Sequence, residues 1–191
     1  MIGTGDDIAA WIATLKKGDL PARREAEEAL RKKGGDAVGP LIQALRDEAN
    51  TDFRWYAARV LARIGDPAVG PLIRALKGEK DRGIRRYLAA SLGEMGEAAI
   101  RPLVGLLADP EPETRGFATL ALCRAGRPAI QPLSDALDDA DETVRSCAAL
   151  ILWQMGEEGG MEALGKAFAP KEGATRKGEP EKAGKDPNQT H

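Results

Sequence analysis

The sequence predicts an all-α fold, a right-handed α-α superhelix of about five helix-pair repeats that extends from Asp6 to Phe168. Three observations support this prediction. A Pro-Leu segment recurs every 30 or 31 residues, an Arg stands 11 residues before a Gly in each period, and the apolar residues between them follow helical spacing. The chain has 191 residues and 42% hydrophobic content, which is enough for one compact array with a substantial core.

The first helix of each predicted pair carries the Pro-Leu segment. This segment occurs at Gly39–Leu45, Gly70–Leu76, Arg101–Leu107 and Gln131–Leu137. Weaker copies without the proline stand one period outside these four, at Ala10–Leu15 and Ala163–Phe168. We expect each proline in the first turn of its helix, because the N–H that proline lacks would have no helical partner there.

The second helix of each pair runs from the recurring Arg to the recurring Gly. The arginines are Arg23, Arg54, Arg85, Arg115 and Arg145, and the glycines are Gly34, Gly65, Gly96, Gly126 and Gly156. Small or apolar residues stand 3, 6, 7 and 10 positions after the Arg, as Ala57, Val60 and Leu61 do, and they form one helix face. The closing Gly suits a left-handed C-terminal cap.

Together, the period, the Pro-Leu-Ile segment and the Arg-to-Gly helix resemble the short HEAT-like repeats named after the phycobilisome lyases, over about residues 8–168. The resemblance implies a HEAT-like α-solenoid in which the second helices line the concave side, where relatives bind their partners. It also implies that the recurring Arg is mainly structural.

The recurring arginines are predicted to form a structural ladder between repeats. Each lies beside the apolar face, where a guanidinium needs acceptors because a buried unpaired charge is costly. Acidic residues stand six positions before four of these arginines, at Glu48, Glu79, Asp109 and Asp139. We therefore expect the arginines to pair with these acidic loops; a row of anion-binding arginines is the alternative.

A strip of aromatic and basic residues is predicted on the side of the second helices that faces away from the core. The candidate partner-binding residues are Trp55, Tyr56, Arg59, Arg63, Arg86, Tyr87, Phe117, Leu120 and Arg124. Aromatic residues interleaved with Arg are enriched at binding hot spots. An extended acidic or aromatic peptide, or the edge of a folded protein, would suit this strip. Tyr56, Tyr87 and Phe117 occupy one repeat-equivalent position, so stacking of the rings on each other is the structural alternative.

The residues of common catalytic sites are missing from the predicted array. The one histidine, His191, stands at the end of a polar segment, so no Ser-His-Asp, Cys-His or His-ligand metal site has its histidine in the repeats. Two cysteines, Cys123 and Cys147, are too few for a disulfide framework or a zinc site, and they fit a reduced cytoplasm. We predict a protein without catalytic activity, cofactor or metal.

The predicted function is that of a cytoplasmic scaffold or adaptor that binds a protein or peptide. The formal net charge of −2 gives no bulk attraction to nucleic acid or to an anionic membrane, and no stretch of 18 apolar residues occurs. The resemblance leaves two alternatives open: a bilin lyase-like chromophore-binding protein, and a DNA-binding protein of the HEAT-like glycosylase type, which would go with a basic groove.

The two ends of the chain differ from the repeats between them. Residues 1–169 are predicted to form the repeat domain, and residues 170–191 a disordered polar tail, because that segment has almost no apolar residue to bury. Leu150, Ile151 and Trp153 make the last second helix apolar on several sides. This pattern predicts self-association through the C-terminal repeat, with contact of that end with the tail or with another domain as the alternatives.

Overall fold

The computed structural model describes residues 4–47, 49–156 and 158–168, and in these ranges the chain forms eleven α-helices and no strand. The helices are α1 (Thr4–Lys17), α2 (Leu20–Lys33), α3 (Gly35–Asp47), α4 (Thr51–Ile64), α5 (Asp66–Gly78), α6 (Arg82–Glu94), α7 (Glu97–Gly105), α8 (Pro112–Ala125), α9 (Ile130–Asp135), α10 (Glu142–Met155) and α11 (Glu158–Phe168). Short 3-10 segments lie at Leu106–Ala108, Arg127–Ala129 and Ala136–Asp138. The predicted all-α fold is confirmed.

The helices form five pairs in chain order, from α1 with α2 to α9 with α10, and α11 follows as a further first helix. Neighbouring second helices (α2, α4, α6, α8 and α10) pack more closely on one another than neighbouring first helices do. We call the side of the second helices that points away from the core the inner side of the array, and the layer of first helices the outer layer.

One continuous core of Leu, Ile, Val and Ala fills the space between the two layers of helices, from Ile8 to Leu152. Its largest fully buried side chain is Phe53 of α4. No described helix has both the length and the apolar composition that spanning a bilayer would require. The predicted polar tail, residues 170–191, lies outside the described residues.

The recurring glycines stand in the connections from each second helix to the next first helix, which are one or two residues long except between α8 and α9, where the 3-10 segment Arg127–Ala129 follows Gly126. Gly34, Gly65, Gly96 and Gly126 have positive φ with ψ of −128°, −140°, −141° and −143°, whereas Gly156 has φ 61° and ψ 9°. The predicted left-handed helical cap is therefore confirmed at Gly156. The other four glycines have the predicted positive φ, but their ψ lies outside the left-handed helical region. At Gly65 the reason is clear, because this one residue ends α4 and begins α5. Such backbone geometry is open to Gly and strained for other residues.

Three of the four prolines of the Pro-Leu segment lie deeper in their helices than predicted, whereas Pro132 is the third residue of α9 and lies in its first turn. Pro40, Pro71 and Pro102 are each the sixth residue of α3, α5 and α7. The prediction of a first-turn proline was wrong at these three positions because their helices begin directly after the recurring glycine. A proline at this depth removes one main-chain hydrogen bond of the helix.

Candidate binding groove

The five recurring arginines donate hydrogen bonds to main-chain carbonyl oxygens of their own helix pair. The pairs are Arg23 Nη2 with Lys16 O at 3.2 Å, Arg54 Nε with Leu45 O at 3.1 Å, Arg85 Nε with Glu79 O at 2.6 Å, Arg115 Nη1 with Asp109 O at 2.8 Å, and Arg145 Nη1 with Asp139 O at 2.8 Å. The predicted acceptors therefore need a correction: at three acidic positions the arginine bonds the carbonyl and not the carboxylate. Glu48, the fourth acidic position, lies outside the described residues. A cation near the carbonyl end of a first helix is favourable because these groups lack helical partners.

Two of the loop carboxylates instead bind basic residues of the preceding pair. Arg46 Nε lies 2.9 Å from Glu79 Oε2, and Lys77 Nζ lies 2.7 Å from Asp109 Oδ2. The hydrogen bond from Lys77 holds the pKa of Asp109 below its usual value. These ion pairs connect the second helix pair to the third, and the third to the fourth.

Arg85 is the most buried of the recurring arginines, with 3% of its surface exposed. Besides the Glu79 carbonyl, it contacts Glu111 Oε2 at 2.9 Å and Glu113 Oε2 at 3.1 Å, both at the start of α8. This interaction with Arg85 is the main reason why the pKa of Glu111 is lowered. Arg85 thus links α6 to the next second helix.

The three aromatic residues at the shared repeat position are half-buried and pack on the core, which corrects their predicted full exposure. The Arg23 guanidinium lies over the Tyr56 ring at 4.9 Å, and the Arg85 guanidinium lies over the Phe117 ring at 5.7 Å. Each of these rings therefore packs on the recurring Arg of the preceding pair. In the described part of the chain, the ring-to-ring contact is between Trp55 and Tyr56, so Tyr56, Tyr87 and Phe117 do not stack on each other.

Trp55 remains 49% exposed on the inner side of α4. The Arg59 guanidinium covers one face of its ring at 4.7 Å. Arg59 is in turn fixed by Glu27 of α2, whose Oε1 accepts a hydrogen bond from Arg59 Nη2 at 2.7 Å and which is 2% exposed. The buried carboxylate thus holds the guanidinium against the indole.

Three of the four arginines predicted to bind a partner's carboxylates are paired within the chain. Arg59 pairs with Glu27, Arg63 Nη1 lies 3.6 Å from Glu27 Oε2, and Arg124 Nε lies 3.1 Å from Glu94 Oε1. Sequence reasoning missed Glu27. The signal was present, because Glu27 stands four residues after its recurring Arg, where the later pairs have Ala58, Ala89, Thr119 and Ala149.

A groove of about 440 Å³ opens between α4, α6 and α8 on the inner side. It is lined by Trp55, Ala58, Arg59, Arg86, Tyr87, Ala90, Ser91, Glu94 and Arg124. Five of the nine predicted partner-binding residues meet here, whereas Tyr56, Arg63, Phe117 and Leu120 lie outside the lining. Ser91 Oγ lies 3.0 Å from the Ala58 carbonyl oxygen, which ties α6 to α4 below the groove.

Arg86 differs from the other groove arginines. Its side chain is exposed, and it makes no hydrogen bond or ion pair with any residue that the structure describes. Across the same residues, no group of three or more His, Cys, Asp or Glu side chains is arranged to hold a metal ion. The groove therefore offers a ligand the half-exposed indole of Trp55 and the unpaired guanidinium of Arg86. The guanidinium groups of Arg59 and Arg124 are already neutralised by carboxylates of the chain.

Comparison with known proteins identifies the repeats. A family model described as HEAT repeats matches residues 38–110 and 100–179. No curated protein matches the sequence. Among solved structures, the chain is similar to the complex of CpcE and CpcF of phycocyanin lyase from Nostoc sp. PCC7120, at 27% identity over 76% of this chain and 98% of that chain, with a TM-score of 0.40. It is also similar to an engineered protein, at 20% identity over 84% of this chain and 86% of that chain, with a TM-score of 0.31.

Proposed function

The chain belongs to the HEAT repeat family, and from this premise we propose that it is a scaffold or adaptor that binds a protein or extended peptide on the inner side of its second helices. The observation that carries the proposal is the groove between α4, α6 and α8, where the exposed Trp55 and the unpaired Arg86 stand together. Trp and Arg are the residue types most enriched at binding hot spots.

Trp55 is suited to be the apolar anchor. An indole exposed by 49% keeps a large apolar surface in contact with water, and covering it with a ligand is favourable. Because Arg59 and Glu27 already hold the ring in place, binding costs little side-chain entropy. The anchor is therefore preorganised.

The charges of the groove define the ligand more narrowly than a generally acidic peptide. Arg59 and Arg124 have their own carboxylates in Glu27 and Glu94, so Arg86 is the cation left for a ligand. We therefore propose that the partner presents one carboxylate to Arg86 and an apolar side chain to Trp55. A nucleic acid would need several unpaired cations, because its affinity comes from neutralising successive phosphates.

The test is a selection from a displayed peptide library against the full chain. Enriched peptides should combine an Asp, a Glu or a C-terminal carboxylate with a nearby aromatic or large aliphatic residue. Trp55→Ala and Arg86→Glu should each weaken binding of these peptides by about tenfold or more. The matched control is Arg74→Glu, which makes the same charge change at an exposed position of the outer helix α5 and should leave binding unchanged.

Two results would contradict the proposal. Peptides that bind all three variants as well as the wild type would place the site elsewhere. An absorption change on adding a linear tetrapyrrole, present in the wild type and lost in Trp55→Ala and Arg86→Glu, would favour the chromophore-binding alternative over the peptide.

A further inference from the structure

The C-terminal end of the array carries a cluster of exposed apolar side chains. Leu150 and Trp153 of α10 are 55% and 66% exposed, and Met161 of α11 is 48% exposed. Trp153 is the most exposed of the large hydrophobic residues in the described part of the chain. Such a cluster at one end of a repeat array marks a surface that another surface covers.

The repeat pattern shows which surface Trp153 belongs to. It stands eight residues after its recurring Arg, and the equivalent residues of the preceding three pairs are Ala62, Gly93 and Cys123. A Cβ atom built on Gly93 would lie 2.7 Å from the Ala121 carbonyl oxygen of α8, and Cys123 Sγ lies 3.7 Å from Gln154 Oε1 of α10. The equivalent positions in α6 and α8 thus face the next second helix, and Trp153 faces the place where a further one would stack.

Neither residues 169–191 nor the opposite end of the array suits this surface as its cover. Residues 169–191 contain no Leu, Ile, Val, Met, Phe, Tyr or Trp, so they cannot supply apolar contact area. The opposite end of the array is also unsuitable. Glu25 and Lys32 of α2 are exposed, and they occupy the repeat positions at which later second helices contact the preceding second helix. A head-to-tail contact would bury these charges against Trp153.

The surface that matches the C-terminal end in chemistry is the same end of another molecule. We propose that two copies of this chain form a dimer through their C-terminal ends, with Trp153 and Met161 at the centre of the contact and Leu150, which lies three residues before Trp153 on the same helix, at its inner edge. Contact of one patch with its own copy gives a closed twofold dimer and not a filament. This interface lies at the end of the array and does not depend on the groove between α4, α6 and α8.

The size of the end face sets the expected strength. A 14-residue helix is about 21 Å long and a neighbouring helix packs about 10 Å away, so α10 and α11 present a face of about 20 Å by 20 Å. Such a face lies below the usual size of stable interfaces, so we expect a weak dimer that forms only at high protein concentration.

Sedimentation velocity of the full chain, from about 5 to 300 μM, tests the proposal in the range expected for a small interface. The wild type should change from monomer to dimer across this range, and Trp153→Glu should remain a monomer throughout. Leu150→Glu is a second variant with the same expected effect. The matched control is Leu20→Glu at the opposite end, where the leucine is 53% exposed, and this variant should dimerise like the wild type.

Circular dichroism at low concentration establishes that the variants keep their helix content. A wild type that stays monomeric at the highest concentration would overturn the proposal, as would a dimer that persists in both Trp153→Glu and Leu150→Glu. Loss of the dimer in Leu20→Glu, or growth beyond the dimer, would instead indicate head-to-tail assembly and would equally overturn it.

Discussion

Arg85 and Arg86 are adjacent residues with the same side chain and opposite roles. Arg85 is 3% exposed and bonds the Glu79 carbonyl and the carboxylates of Glu111 and Glu113, whereas Arg86 is exposed and lines the groove. Successive residues of a helix are about 100° apart, so neighbours in sequence face different surroundings. The repeat position, and not the residue type, separates the structural arginine from the one available to a ligand.

This difference gives a prediction for stability. Arg85→Ala should lower the free energy of unfolding by about 2–4 kcal/mol, because it leaves main-chain carbonyl oxygens without their donor and removes the link to α8. Arg86→Ala, the matched control, should change it by less than about 0.5 kcal/mol. Urea denaturation followed by circular dichroism measures both values. Equal losses in the two variants would contradict the role given to Arg85.

Among the helices, α6 and α8 form the closest packed pair of the inner layer. Gly93 is the reason, because its missing side chain lets α6 approach the Ala121 carbonyl oxygen and Arg124 Cβ of α8. This approach also brings Arg124 within reach of Glu94, which neutralises it in the groove. A small residue in one helix thus determines which charges the groove offers.

Adding one methyl group at this contact should separate the two helices. In Gly93→Ala the new Cβ would lie 2.7 Å from main-chain oxygen, so we expect a loss of about 1–3 kcal/mol in unfolding free energy. The control is Gly39→Ala in α3, where the new Cβ meets nothing within 4 Å and alanine should stabilise the helix by about 0.5–1 kcal/mol. Thermal and urea unfolding of both variants measure the effects; a neutral Gly93→Ala would show that the helices adjust without cost.

Over the whole molecule, the connections between helix pairs change along the array. Ion pairs join the first four pairs in succession, through Glu27 with Arg59, Arg46 with Glu79, and Lys77 with Asp109. Between the fourth and fifth pairs, Cys123 Sγ of α8 lies 3.7 Å from Gln154 Oε1 of α10, a weaker contact than an ion pair. In addition, α10 has a second-helix neighbour on one side of the inner layer, whereas α4, α6 and α8 have two.

Native-state hydrogen exchange should therefore find the lowest opening free energies in the last pair. At about 5 μM protein, where we expect the monomer, amides of α10 should exchange about tenfold or more faster than those of α6. The same measurement at high concentration should slow exchange in α10 if the proposed dimer forms there. Faster exchange in α6 than in α10 would contradict this distribution of stability.

The sequence predicted the features that depend on periodicity, and it failed where the outcome depends on distant residues. The Arg-to-Gly period identified the second helices, and the apolar spacing identified core residues such as Leu61. The partner of Arg59 could not be deduced in the same way, because Glu27 departs from the repeat and lies in another helix. The half-burial of Tyr56 likewise depends on Arg23 of the preceding pair. Partners of individual side chains therefore required the packed structure.

The glycine connections described above limit how this protein changes length in evolution. On one edge, a single residue such as Gly65 turns the chain from α4 into α5 in a conformation strained for other residues. On the other edge, the recurring arginines bond carbonyls at the end of the first helix or in the loop that follows it, and these bonds form in repeats of both 30 and 31 residues. The loop edge thus accommodates a difference of one residue, whereas the glycine edge keeps the same six-residue spacing from the recurring Gly to the proline of the next segment. Gene duplication that copies the chain from one recurring glycine to the next would add a complete helix pair with its arginine and loop, so lineages of this protein should differ by whole repeats.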